Sequence, residues 1–168
     1  MAKTVYIHFW MSDLKSEFDK NIFKPIKNGC LGSKPSGGLW ASPVNSKWGW
    51  KDWCISEGFR LAQLDSSFCF VLTDAAKVLH LRSVADANKL PRYCPYPEME
   101  DTIPIRYIDF EKLMEKYDAI EFHLSEDRKR DAYWNSLYFK MCSWDCDSIL
   151  IMNPDIVVPI SVEKEEER

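Results

Sequence analysis

Residues 143–159 read S-W-D-C-D-S-I-L-I-M-N-P-D-I-V-V-P, and the architecture is best approached from there. Ser148–Met152 is a short apolar run closed by the breaker pair Asn153-Pro154. It is too short for a helix, carries β-branched side chains and is punctuated at both ends, so it reads as a strand in the middle of a sheet. Asp145 and Asp147 stand where that strand enters the sheet. Strand alternation at spacing i, i+2 predicts both carboxylates on one face and Cys146 on the other. Acids in that position either keep a strand end solvated or act as active-site acids, and the remaining stretches bear on the choice.

Upstream, Thr4–Trp10 is a first strand of aromatic and β-branched residues interrupted by one histidine. Val5, Ile7 and Phe9 make an apolar face that suits packing, whereas Tyr6, His8 and Trp10 offer a phenol, an imidazole and an indole that suit the floor of a cleft. Ser12 or Asp13 can cap a short helix to about Lys20. Lys24–Gly38 reads as a loop, with two prolines and four glycines. It feeds the very short strand Leu39-Trp40-Ala41-Ser42, ended by Pro43. The pair Gly37-Gly38 is either an ordinary turn or a backbone that lets something approach closely.

Ser46 is positioned to cap a helix over Lys47–Ala62, with Trp50, Trp53 and Leu61 at helical spacing as core or cleft wall. Phe68–Thr73 and Lys77–Leu81 read as strands, and Ser83-Val-Ala-Asp86 has the form of a capping box for a short helix ending before Pro91. Pro91–Pro104 holds four prolines in fourteen residues and reads as a rigid surface loop or lid. Asp109 caps a helix Phe110–Lys116, Ala119–Leu124 is a strand, and Ser125–Lys140 is a loop and a helix. The chain ends in Ile160-Ser-Val162 and a charged tail, Glu163–Arg168. Short strands and short helices without long βαβ alternation or a glycine-rich phosphate loop predict an α+β fold with a mixed or antiparallel sheet, built as one domain over residues 1–168.

Composition narrows the function classes. The 168 residues carry a net charge of −4, and the richest basic run, Arg128-Lys129-Arg130, is flanked by acids, so phosphate steering by a basic stripe is not indicated. Seven tryptophans and 14% aromatic residues fit either a ring-filled core or a cleft for a flat ligand. The six cysteines show neither a CxxC pair nor zinc-type Cys/His spacing; Cys142 and Cys146, with His123 far upstream, do not make a ladder. No metal site is therefore expected, and His80 and His123 read as structural. Without a signal peptide or an apolar run of about 18 residues, a cytoplasmic protein with reduced thiols and no membrane partner is expected.

Three signals thus fall on three separate strands: His8 on the first, Gly37-Gly38-Leu39-Trp40-Ala41-Ser42 on the second, and Asp147 opening a late one. Their order resembles the ADP-ribosyltransferase fold of the diphtheria-toxin and poly(ADP-ribose) polymerase type, with its split sheet. Two accessory pieces are similar to bacterial and phage members: V-L-H-L-R-S-V-A-D-A-N-K-L, and I-D-F-E-K-L-M-E-K-Y-D-A-I-E ahead of W-D-C-D-S-I-L-I-M-N-P-D-I-V. The resemblance spans roughly residues 4–160 and rests on motif order.

It implies NAD as cosubstrate and a transferase that breaks the nicotinamide–ribose bond and modifies a macromolecular acceptor, protein or nucleic acid, in the manner of a bacterial toxin or phage effector. Carried over, His8 is the ribose-binding residue, with Tyr6 on its face. Trp40 is the stacking ring, led in by Gly38 and Leu39, and Ser42 is the hydroxyl of the second motif. Asp147 is the catalytic acid and Asp145 its alternate. A carboxylate at the ribose 2′-hydroxyl would stabilise the positive charge that develops as the bond breaks. The family usually has Glu where Asp147 stands, and the missing methylene shortens the reach by about 1.5 Å. That departure motivates the alternative of a non-catalytic NAD- or ADP-ribose-binding protein, or an inhibitor, on the same fold.

Overall fold

A computed structural model describes residues 3–10, 23–29, 33–102, 105–126 and 137–161. The expected helix after Ser12 or Asp13 and the charged tail lie outside the described residues.

The strand expected over Ser148–Met152 is β8 (Ser148–Ile151), and every residue in it is buried. Burial of Ile149, Leu150 and Ile151 alone, each with no exposed surface, contributes on the order of 1.5–3 kcal/mol per side chain. The other strands are β1 (Tyr6–Trp10), β2 (Leu39–Pro43), β3 (Ser66–Leu72), β4 (Val78–Leu81), β7 (Ala119–Phe122) and β9 (Val157–Ile160). Together they form a seven-stranded sheet in the order β4-β7-β8-β2-β1-β3-β9. The β4–β7 pair is parallel and the rest are antiparallel, so the expected mixed sheet is present. Pro159, which cannot donate to a ladder, sits in the edge strand β9, where proline is tolerated.

Alternation along the strands gives the sheet two apolar faces. On one, Leu81, Ile120, Phe122 and Leu150 join Trp144, Phe110, Leu113, Leu137 and Met141 in a core covered by α3 (Phe110–Met114) and α4 (Leu137–Lys140). On the other, Tyr6, Ala41, Phe68, Phe70, Ile149 and Ile156 make a second core. Rings fill both, as the tryptophan and phenylalanine content allows. Trp144 lies edge-on to Trp40 and Phe122 and stacks with Phe110.

Several local expectations shift, each for a visible reason. The helix expected over Lys47–Ala62 is α1 (Trp50–Glu57), capped at Gly49, whose N–H is taken by the Asp52 carboxylate at 2.9 Å. Gly58, in the left-handed conformation at φ 61°, ends it, and a 3-10 turn over Leu61–Asp65 follows. Ser46 is not the cap, because the helix starts at Trp50; its hydroxyl donates to the Asp147 carboxylate and accepts from Trp48 N at 3.0 Å. The capping box at Ser83 does form, leading α2 (Val84–Asn88), with Ser83 Oγ accepting from Asp86 N and donating to its carboxylate. Asp109 caps α3 through Lys112 N at 3.0 Å. The proline-rich stretch is not wholly loop: β5 (Arg92–Tyr93) pairs antiparallel with β6 (Tyr107–Ile108).

The glycine pair serves the fold. Gly38 has φ +72°, and a Cβ there would come within 2.5 Å of the Leu150 side chain and 2.9 Å of the Ile151 carbonyl. What approaches this backbone is the neighbouring strand β8, packed with Ile26. Gly38→Ala is therefore expected to cost about 2–4 kcal/mol in urea unfolding, from the left-handed backbone and the overpacking together; a loss under about 0.5 kcal/mol contradicts this packing.

Candidate functional site

The three strands that carry the sequence signals are neighbours: β8, β2 and β1 lie side by side. β2 divides its pairing between them. Leu39–Ala41 pair with Ile149–Ile151 of β8, while Ser42 and Pro43 pair with Ile7 and Tyr6 of β1. Past Ile7 the β1–β2 register stops, although β1 continues to pair with β3 as far as Trp10. In place of the missing ladder, the His8 Nδ1–H donates to the Trp40 carbonyl. A cleft of about 290 Å³ opens beside the point where this ladder ends. That volume lies at the lower end of ordinary small-molecule pockets.

Ile7, His8 and Phe9 come to the cleft from β1, and Trp40, Ala41 and Ser42 from β2; Asp145, Cys146 and Ser148 come from the approach to β8. Trp50, Trp144, Lys34, Arg60 and Gln63 complete its walls. Most of its lining is apolar, and His8, Asp145, Lys34 and Arg60 are its ionisable residues. The Lys34 ammonium lies 5.2 Å from the centroid of the Trp40 ring. Burial pushes the His8 pKa below the ordinary imidazole value, against the opposing pull of the Trp40 carbonyl. His8 is thus a neutral ring at pH 7, with the proton on Nδ1 and Nε2 an acceptor by type.

Of the two acids at the mouth of β8, the cleft receives Asp145. Asp147 is 5% exposed and does not line it. Its Oδ1 accepts from Ser125 N at 2.8 Å, and its Oδ2 accepts from the Ser46 hydroxyl at 2.8 Å and from the Ser125 hydroxyl. Its backbone N–H donates to the Trp48 carbonyl at 2.9 Å, and its carbonyl accepts from the Ser42 hydroxyl at 2.8 Å. Asp147 therefore clamps three segments together. The expected common face for Asp145 and Asp147 is corrected here: strand geometry begins only at Ser148, so the i, i+2 rule does not reach back to the acids.

The second-motif residues divide in the same way. Trp40 and Ser42 line the cleft, and Gly38 and Leu39 do not; Leu39 is buried in the core on the Tyr6 side. The Ser42 hydroxyl also accepts from Trp50 N at 2.9 Å, which fixes the start of α1 against β2. Tyr6, expected on the ligand side with His8, is buried in the second core. Burial and the nearby Glu121 charge raise its pKa. Burial likewise pushes the Cys146 thiol up to about 12, against the pull of Lys34 and Ser42, so it stays protonated and unreactive at neutral pH.

Trp50, read as core or cleft wall, lines the cleft; Lys34, Arg60, Gln63 and Trp144 belong to it without having been singled out for it. Lys34 opens the K-P-S-G-G turn and Arg60 follows the helix-ending Gly58, positions whose direction is set by turn geometry and tertiary packing. Among the described residues no helix is long and apolar enough to cross a membrane. Compared with protein-family models, curated proteins and solved structures, the chain gives no significant match.

Asp147→Ala strands the Ser125 and Ser46 donors and is expected to lower stability by about 2–4 kcal/mol in urea unfolding, while Asp145→Ala stays within about 1 kcal/mol of the parent. The reverse ranking would remove Asp147 as the clamp. Because the folded pKa of His8 lies below its unfolded value, the unfolded chain binds the extra proton first as pH falls. The stability attached to a neutral His8 is complete above about pH 6.5 and is lost as pH falls through the folded pKa. His8→Asn should remove that component, seen as a flatter Tm-against-pH profile below pH 6.5.

Proposed function

We propose that the cleft between β1, β2 and the approach to β8 binds NAD and that the protein is a mono-ADP-ribosyltransferase acting on a macromolecular target. The observation that carries this reading is the convergence of His8, Trp40 and Asp145, from three distant stretches of sequence, on one aromatic-walled cleft that also holds Lys34 and Arg60. Each side chain has a task there. Trp40 and Trp50 offer ring surfaces to a flat base, and the two cations suit the negative charge of a pyrophosphate. The neutral His8 is suited to accept from a ribose hydroxyl. Asp145 supplies the negative charge that stabilises the sugar as its bond to nicotinamide weakens.

The resemblance pointed first to Asp147, with Asp145 as its alternate. In this proposal the roles are exchanged: Asp145 faces the ligand, and Asp147 holds the turn that presents it. The engagement of Asp147 and the shortness of Asp relative to Glu favour one second reading, a protein that holds NAD or ADP-ribose without turnover.

Incubation with NAD labelled in the nicotinamide ring distinguishes the readings. Transfer or hydrolysis predicts release of labelled nicotinamide, reduced about 10²–10³-fold in Asp145→Ala with folding intact. Trp40→Ala should weaken NAD binding by about three- to tenfold, the worth of one stacked ring. Calorimetric binding of NAD without release supports the second reading, and no binding of NAD or ADP-ribose contradicts both.

A further inference from the structure

A second constellation lies on the other half of the sheet. β4 and β7 are parallel, and their register sets His80 directly opposite Glu121. His123 follows Glu121 by two residues, and the His123 N–H continues the ladder by donating to the Leu81 carbonyl at 3.0 Å. Pairing across strands and alternation along one strand thus put His80, Glu121 and His123 on one face. His80 Nδ1 is 3.0 Å from Glu121 Oε2, His123 Nε2 is 3.6 Å from the same oxygen, and the two ring nitrogens are 3.2 Å apart.

Three ligand-type atoms at these separations describe one triangular face of a coordination polyhedron. Bonds of about 2.0–2.1 Å to nitrogen and oxygen around a tetrahedral centre place neighbouring ligand atoms about 3.3–3.4 Å apart. The observed spacings bracket that value. We propose that His80, Glu121 and His123 bind one divalent transition-metal ion of the zinc class, although the spacing of the sequence predicted no metal site.

Two imidazoles and one carboxylate select a borderline first-row ion over Mg²⁺ or Ca²⁺, which take oxygen ligands. The His80 side chain is 43% exposed while that of Glu121 is 5% exposed, so the site is anchored on its floor and open to solvent at its rim. A fourth ligand position for water is therefore accessible, as in His₂-carboxylate zinc sites. The floor is also fixed by the sheet, because Glu121 is paired with His80 of β4 on one side and with Ile149 of β8 on the other. An ion here would tie the edge strand β4 to β7. The site shares no residue with the cleft lining and stands or falls independently of NAD chemistry.

The test uses the full chain, stripped of metal by a chelator and dialysed, then titrated with Zn²⁺ against a chromophoric competitor at pH 7.5. One Zn²⁺ per chain is expected, with affinity lowered at least tenfold in His80→Ala, whose rim position leaves folding intact. Zn²⁺ at about a hundredfold above Kd should raise the Tm by roughly 5–10 °C in the parent and not in His80→Ala. Glu121→Gln, which keeps the side-chain shape but lowers the ligand charge, should reduce affinity as well. Absence of stoichiometric binding, or binding unchanged in both His80→Ala and Glu121→Gln, would overturn the site and leave a hydrogen-bonded His–Glu–His cluster.

Discussion

The Asp147 carboxylate and its three donors are the constraint on which the functional half of this molecule depends. A buried carboxylate is costly unless its oxygens are satisfied, and here Ser46 and Ser125 satisfy them from two loops far apart in sequence. The backbone of the same residue is engaged by Trp48 and Ser42. Ser42 then accepts from Trp50 N, and the Trp48 indole donates to the Asp145 carbonyl at 3.1 Å. One residue thereby locks the end of β2, the start of α1, the turn after β7 and the entrance of β8 into a single unit. Charge-assisted hydrogen bonds of this kind are the stronger ones, so the unit is also stiff.

Stiffness there lets the sheet be open beside it. β2 lends its first half to β8 and its last two residues to β1, and where the β1–β2 ladder ceases a side chain, His8, takes over the carbonyl that a strand would have used. The end of a ladder leaves polar backbone groups that need other partners. The side chain that takes over the Trp40 carbonyl thus also brings an imidazole to the cleft. The chemistry of the cleft and the architecture of the sheet are one arrangement.

Much of this was legible in the sequence. The β8 run S-I-L-I, the first strand, the Asp109 and Ser83 caps and the mixed α+β class all follow from alternation, β-branching and capping chemistry, and each is local. Motif order pointed to His8, Trp40 and the acids at β8, and of these His8, Trp40 and Asp145 line one cleft. The division of labour between Asp145 and Asp147 was not, because it depends on Ser46 and Ser125, whose approach is a property of loop packing. Ser46 looked like a helix cap since serine before a helical run normally is one; the helix starts later, at Trp50, and the Ser46 hydroxyl holds the Asp147 carboxylate instead. Gly38 shows the same limit: a close approach to its backbone was one of two readings, but the object that approaches, β8, is visible only in three dimensions. His80 and His123 read as structural because their proximity to each other and to Glu121 comes from a parallel register and not from spacing along the chain.

The proposal that the cleft beside the end of the β1–β2 ladder binds a nucleotide served by Asp145, on a turn braced by Asp147, is tested most directly by a crystal structure of the protein with ADP-ribose. The account predicts ligand density between Ile7–Phe9 and Trp40–Ser42, with a ribose within hydrogen-bonding reach of Asp145 and the Asp147–Ser46–Ser125 bonds intact. Ligand bound elsewhere, or an Asp147 that has left its serines to contact the ribose, would contradict it.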